Sequence, residues 1–135
     1  MGLSLRFPGT IVPIESQSIL TDGMIVRVGS ADNTVRLPGG ASPTTSLLGC
    51  MMRPDGSACA VGDTIDLVLN GVYPLIAAGT ITRGDFVTSG GTDGSVITET
   101  ASAGVNVAVI GQALESAVTG DRVAVAINPF MKQGG

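Results

Sequence analysis

Short apolar stretches with partial alternation, separated by turn dipeptides, follow one another along most of the chain. The clearest covers residues 122–127, where Val123, Val125 and Ile127 fall on one face and a small or polar residue on the other. A period of two is typical of β-strands. The intervening dipeptides contain glycine, which tolerates the positive φ of tight turns: Asp22-Gly23, Asp55-Gly56, Asn70-Gly71 and Asp93-Gly94. The pattern predicts an all-β fold, a compact β-barrel or β-sandwich of short strands.

Helical patterns are scarce in this sequence. Residues 112–117 and 44–48 could each form about one helical turn, well short of the ~12 residues of an average helix. We therefore expect at most one or two short helices.

The chain repeats itself at an offset of 61 residues. VPI at 12–14 aligns with YPL at 73–75, and the anchors Thr, Gly, Val and Asp then recur in one order. A one-residue insertion and a shorter hairpin in the second copy bring Gly-Asp at 62–63 over Gly-Asp at 120–121. A tandem duplication explains this order better than chance among common residues.

The length of 135 residues suits one domain. We predict a single β domain over residues 10–130, made of copies at 10–71 and 72–130. Residues 1–9 form an extended N-terminal arm, and 131–135 form a flexible tail.

A glycine-aspartate pair opens a predicted strand three times. The pairs are Gly62-Asp63, Gly84-Asp85 and Gly120-Asp121, and Gly23-Met24 is the unmatched fourth case. An aspartate here accepts backbone N–H bonds as the chain enters the strand. The alternative, an enzyme or metal site, would draw its carboxylates from Asp63, Asp66, Asp85 and Asp121. We favour the structural interpretation, because a repeated fold repeats its turns.

Composition removes several function classes. The chain has no histidine, which excludes the common catalytic triads and histidine metal sites. Its 7 basic and 11 acidic residues give a net charge of −4, which argues against nucleic-acid binding. No apolar run approaches the roughly 20 residues of a membrane span, and the N-terminus lacks a signal-peptide core. We expect a protein that is not an enzyme, uses no cofactor or metal, and contacts neither nucleic acid nor membrane.

The two cysteines flank a turn sequence, Arg-Pro-Asp-Gly at 53–56. In a simple hairpin around it, Cys50 faces Cys59 in a non-hydrogen-bonded pair, with Cα atoms about 4.5 Å apart. That spacing is near the lower limit for a disulfide. The alternative is two buried free thiols, as expected in a reducing cytoplasm, and a bulge would remove the match. Two thiols alone do not make a zinc site.

Three segments of the second copy carry a family resemblance: ITRGDFV at 81–87, VIGQALE at 109–115 and GDRVAV at 120–125. In order and spacing they resemble the capsid decoration (cement) proteins of tailed bacteriophages. The resemblance covers residues 62–128 directly and the first half through the repeat. It implies a β-rich protein, often trimeric, made in the host cytoplasm. On the virion it would sit on the outer capsid surface and lock neighbouring subunits of the major capsid protein together.

The residues for such contacts are predicted at exposed ends and tips. A terminal arm is ordinarily disordered. This one alternates apolar residues, so it could instead add as a strand to a partner's sheet. A methionine-containing hairpin tip adapts to partner surfaces, and the loop at 37–43 is a further candidate. The predicted interface is Leu3, Leu5, Arg6, Phe7, Met51, Met52 and Arg53.

A second hypothesis is a phage head-fibre or surface adhesin domain that binds a host glycan. Glycan sites use exposed aromatic platforms. Only four aromatic residues are available, which lowers this alternative: Phe7, Tyr73, Phe86 and Phe130.

Overall fold

A computed structural model describes residues 6–100 and 103–133, and the regular elements in this part of the chain are all β-strands. The predicted all-β class is confirmed. The strands are β1 Phe7–Pro8, β2 Ile11–Ser16, β3 Ile25–Val28, β4 Thr34–Arg36, β5 Gly40–Ala41, β6 Leu47–Met52, β7 Thr64–Val68, β8 Gly71–Ile76, β9 Phe86–Gly91, β10 Val96–Thr98, β11 Asn106–Ala113 and β12 Arg122–Gln133.

Neither of the predicted single helical turns forms. Gln112 and Ala113 are the last residues of β11, and Leu47 and Leu48 begin β6. Both segments pair with neighbouring strands, and these backbone bonds take the place of a turn of helix that would have been marginal alone.

The first copy folds into a closed five-stranded barrel in the order β2-β4-β3-β6-β7. Its strands pair antiparallel except at the closure, where β2 and β4 run parallel and Ser16 lies opposite Val35. Alternate residues point inward, and they form a separate buried cluster: Leu20, Val26, Val35, Met51, Cys59, Ile65 and Leu67.

The second copy repeats this arrangement inside a larger sheet, in the order β1-β8-β12-β11-β9-β10. A parallel bridge between Ala77 and Val96 occupies the position of the Ser16–Val35 pair, 61 residues on. The second barrel is therefore closed by one residue pair where the first is closed by two. The seven core residues of the first copy correspond to seven buried residues of the second: Ile81, Val87, Val96, Ala113, Ala117, Val123 and Val125. This correspondence confirms a fold built from two tandem copies.

The four strand-opening turns have one construction. Their glycines, at 23, 62, 84 and 120, have φ between 83° and 95°, a region that favours glycine. In three turns the carboxylate accepts the N–H of the residue three positions earlier, at 2.8 Å for Asp63, 3.0 Å for Asp85 and 3.2 Å for Asp121. In the fourth turn, the Met24 Sδ takes that N–H at 3.3 Å. The aspartates thus act in the turns, as their repetition predicted.

The predicted register of the cysteine hairpin is wrong. The turn itself forms, with the Gly56 N–H donating to the Arg53 carbonyl at 2.9 Å. Residues 57–63 then run apart from β6, which pairs instead with β7 and sets Cys50 opposite Val68. Cys50 and Cys59 are free thiols, buried in two different clusters.

Both chain ends differ from the prediction. Phe7 and Pro8 form an edge strand on β8 of the same chain, opposite Val72 and Gly71, so this part of the arm completes its own sheet. Residues 131–133, predicted as part of the tail, continue β12 and pair with residues 106–108. Positions 3, 5, 134 and 135 lie outside the described residues.

Candidate functional site

A buried carboxylate stands at the junction of the two copies. Asp22, only 2% exposed, lies in the turn before β3. Its Oδ1 accepts hydrogen bonds from the Tyr73 hydroxyl at 2.5 Å and from the Arg53 N–H at 2.9 Å. Tyr73 is fully buried on β8, so this contact ties the first copy directly to the second.

Two arginines complete what we call the junction cluster (Arg6, Asp22, Arg53, Tyr73 and Arg122). The Arg6 Nη1 donates to the Asp22 Oδ2 at 3.0 Å and to the Tyr73 hydroxyl oxygen at 2.8 Å, and the guanidinium lies 5.2 Å from the ring centroid. The Arg122 Nη1 donates to the Asp22 backbone carbonyl at 2.7 Å and lies 3.9 Å from its carboxylate. The cluster joins the arm to both copies.

The hydrogen bonds of the cluster fix its charge states. Burial acts to raise the pKa of Asp22, but hydrogen bonds from Tyr73, the Arg53 N–H and Arg6, together with the charge of Arg6, outweigh it and lower that pKa. Burial, with the nearby Asp22 carboxylate, raises the pKa of Tyr73. Asp22 is therefore ionised and Tyr73 neutral at pH 7, and each oxygen of Asp22 accepts a hydrogen bond.

Stability is expected to fall in acid because of Asp22. Its folded pKa lies below the unfolded value of about 4, so its contribution is complete above pH 4 and is lost as pH falls through the folded pKa. Urea unfolding of the wild type and of Asp22→Asn at stepped pH values measures this. Asp55 and Asp93, whose pKa values are lowered by their bonds to Ser57 and Ser95, contribute to both proteins alike. If the free energy of unfolding fell equally steeply with pH in the two proteins, Asp22 would not be the source of the acid sensitivity.

The junction cluster holds the fold together and offers no reactive group. Both carboxylate oxygens accept hydrogen bonds within the cluster, and the phenol is held protonated. Across residues 6–100 and 103–133 there is no concave pocket and no group of three or more metal-ligating side chains. The same residues contain no helix long and apolar enough to cross a membrane.

The second surface of interest is the outward face of the large sheet. One register row crosses five strands, from Phe7 through Val72, Ala126 and Gln112 to Phe86. Phe7 is 67% exposed and Phe86 37%. Phe130, on the β12 extension, packs edge-on against Phe86 with ring centroids 5.5 Å apart. Three of the four aromatic residues thus lie on this face, while Tyr73 is buried.

The structure separates the residues of the predicted interface. Phe7 is exposed, but the Arg6 guanidinium is engaged in the junction cluster. The prediction that Met51 contributes to an interface is wrong, because its side chain is fully buried in the first barrel. Met52 packs partly buried against the larger core, and the Arg53 N–H is bound by Asp22.

The loop at 37–43 is also anchored. The Leu37 carbonyl accepts from the Arg27 Nε at 3.0 Å, and its N–H donates to the Ser18 Oγ at 3.0 Å. β5 pairs with β9, and the Pro43 carbonyl accepts the Ala108 N–H at 2.8 Å. The loop is therefore a strap from the first copy to the second.

Sequence reasoning missed Asp22, Tyr73 and Arg122 as partners. Tyr73 and Arg122 lie 51 and 100 residues from Asp22 along the chain, and no local motif connects them. A signal was nevertheless present, because the copies differ at these positions: Arg83, Val12 and Thr64 are the equivalents. Positions where two copies of one fold diverge in polarity indicate where the copies meet.

No family model matches the chain, and no curated protein matches it by sequence. Among solved structures, it is similar to the N base of the head fibre protein gp8.5 of bacteriophage phi29, with a TM-score of 0.64. The match covers 88% of this chain and 93% of that one, at 18% identity. The fold is similar to that of a head-fibre base. At this identity the likeness shows the fold alone.

Proposed function

We propose that this chain is a structural protein of the outer surface of a bacteriophage head, where it binds the major capsid protein as a decoration protein. The observation that carries the proposal is the likeness to a head-fibre base over 93% of that chain's length. The resemblance of residues 81–87, 109–115 and 120–125 to segments of decoration proteins also supports it. The role requires no catalytic chemistry.

The outward sheet face supplies a surface suited to protein contact. It carries three exposed or half-exposed phenylalanines, the residue type enriched in interface cores. Binding that buries such a surface only in the expanded capsid lattice would stabilise that state by mass action. The protein acts as a homotrimer in this proposal, as the family resemblance implies.

A second candidate is the base by which a head fibre is mounted. The fold likeness favours it specifically, since the similar structure is described as the N base of a head fibre. Both candidates place the chain on the capsid exterior. They differ in whether binding strengthens the capsid or only attaches a fibre.

The proposal is tested by adding purified protein to undecorated expanded heads and to unexpanded proheads of the phage that encodes it. Saturable binding to expanded heads, with a raised temperature of capsid disruption, supports a decoration protein. Saturable binding to heads with no change in that temperature supports the fibre base. No binding to either capsid form overturns the proposal. Phe7→Ala, which removes the most exposed phenylalanine of the sheet face, should weaken binding to heads, and Asp32→Ala, an exposed change off that face, serves as its matched control.

A further inference from the structure

The first copy packs on the second through one outward row of its barrel. Ile25, Cys50 and Val68 lie side by side in register across β3, β6 and β7. They face away from the first barrel's interior, because their chain neighbours Val26, Met51 and Leu67 point into it. All three are fully buried, and they belong with Leu47 to the core cluster of the second copy.

The second copy has the same row, and it is uncovered. Phe86, Gln112 and Ala126 are the repeat equivalents of Ile25, Cys50 and Val68, and they pair with one another in the same register. We call them the free row. Phe86 is 37% exposed, and Phe130 beside it is 39% exposed. The surface that is buried inside the molecule in one copy therefore faces outward in the other.

The surface of the second copy that the first copy's row covers also has an equivalent in the first copy, and there it is uncovered. In the second copy, a set of apolar residues packs against the first copy's row and is fully or almost fully buried. The equivalent residues of the first copy have no such row against them and are only partly buried. We call this part of the first copy the open side. The matched pairs are Tyr73 and Val12, Ile110 and Leu48, and Ile127 and Leu69.

We propose that the protein associates head to tail with a second copy of itself, the free row of one molecule packing on the open side of the next. The contact repeats between chains the one that already joins the two copies within a chain. This inference rests on the internal interface and does not depend on the proposed capsid role. The free row takes Phe86, Gln112 and Ala126 of the outward sheet face and leaves the exposed Phe7 available to the capsid. A head-to-tail contact of this kind generates a ring if its rotation closes, and a filament otherwise.

Charge supports the same pairing. Within the chain, Asp22 beside the first copy's row meets Arg122 of the second copy. The equivalent of Asp22 beside the free row is the exposed Arg83. The equivalent of Arg122 is Thr64, and the exposed Glu15 lies directly opposite it in register. The charges are thus exchanged between the two sides but remain complementary.

Sedimentation velocity of the purified full chain tests the proposal. We expect concentration-dependent association in the wild type and at least a tenfold weaker association in Phe86→Arg, which sets a charge in the free row. Val61→Arg is the matched control, because Val61 is 65% exposed and belongs to neither surface. Its association should equal the wild type's. A wild type that stays monomeric into the millimolar range, or a Phe86→Arg variant that associates normally, would overturn the proposal.

A charge exchange distinguishes head-to-tail contact from a symmetric dimer and does not rely on altering the apolar row. Arg83→Glu and Glu15→Arg should each weaken association about tenfold, and the double variant should recover it. An equal mixture of the two single variants should also recover association, because both contacts between unlike chains pair opposite charges, whereas a contact between like chains sets equal charges together. Failure of the double variant or of the mixture to recover association counts against the arrangement, and so does a Glu15→Arg variant that associates normally, as a symmetric dimer of free rows would. Capsid binding enters none of these measurements.

Discussion

Replacement of Asp22 by alanine is expected to lower the free energy of unfolding by about 3 kcal/mol, at the lower end of the range for breaking a buried ion pair. The loss strands the hydroxyl of fully buried Tyr73 and the Arg53 N–H, both of which donate to the carboxylate. Arg6 and Arg122 soften the effect, because their side chains are 39% and 36% exposed and regain water.

Equilibrium unfolding in urea measures this change, with Asp55→Ala as the matched control. Asp55 is an exposed turn aspartate that bonds only to Ser57, so its loss should cost well under half as much. The double variant Asp22→Ala with Tyr73→Phe should recover part of the loss, because it removes one stranded donor. Equal effects of the two aspartate variants would show that the junction cluster does not bind the copies together.

Replacement of Gly111 by alanine should destabilise the fold by about 3 kcal/mol, the upper end of the usual range for overpacking. Gly111 lies where the β11–β12 register shifts, and a Cβ there would overlap the backbone carbonyl of Ala126. A backbone atom in a paired strand cannot move aside as a flexible side chain can. Gly49 stands at the equivalent point of the first barrel, against the Val68 carbonyl, and Gly49→Ala should behave alike.

The control for these variants is Gly40→Ala. Gly40 is also in a strand, has no positive φ, and its Cβ would meet nothing within 4 Å. Its unfolding free energy should stay within about 0.5 kcal/mol of the wild type's. The urea midpoints of Gly111→Ala, Gly49→Ala and Gly40→Ala measure the difference. A Gly111→Ala protein as stable as Gly40→Ala would show that the Ala126 carbonyl leaves room for a side chain at position 111.

Much of the fold was predictable because it is encoded locally and twice. Turn glycines and alternating apolar residues predicted the strands, and the repeat predicted that the second copy would follow the first. The Gly-Asp turns were predictable for the same reason, since the bond between Asp63 and its own turn spans three residues. Such short-range chemistry is visible in sequence.

What could not be predicted depends on contacts between distant segments. The cysteine hairpin looked simple, but residues 57–63 pack apart from β6, and the Cys59 N–H bonds to the Leu20 carbonyl. That bond crosses 39 positions and left no local pattern. The junction cluster is non-local in the same way, and Met51 is buried because β6 lines a barrel that distant strands close.

The substitution of methionine for aspartate in the first strand-opening turn has a wider meaning. Met24 lies against Gly94 of the other copy, so a carboxylate in its place would lose part of its hydration to that contact. Its counterpart Asp85 accepts the N–H of Thr82 in its own turn and the hydroxyl of Thr98. The Met24 thioether accepts the N–H of Thr21 and packs against the other copy without placing a charge in that contact. The difference between the copies at this turn therefore indicates which copy packs its turn against the other: the one whose turn carries no charge.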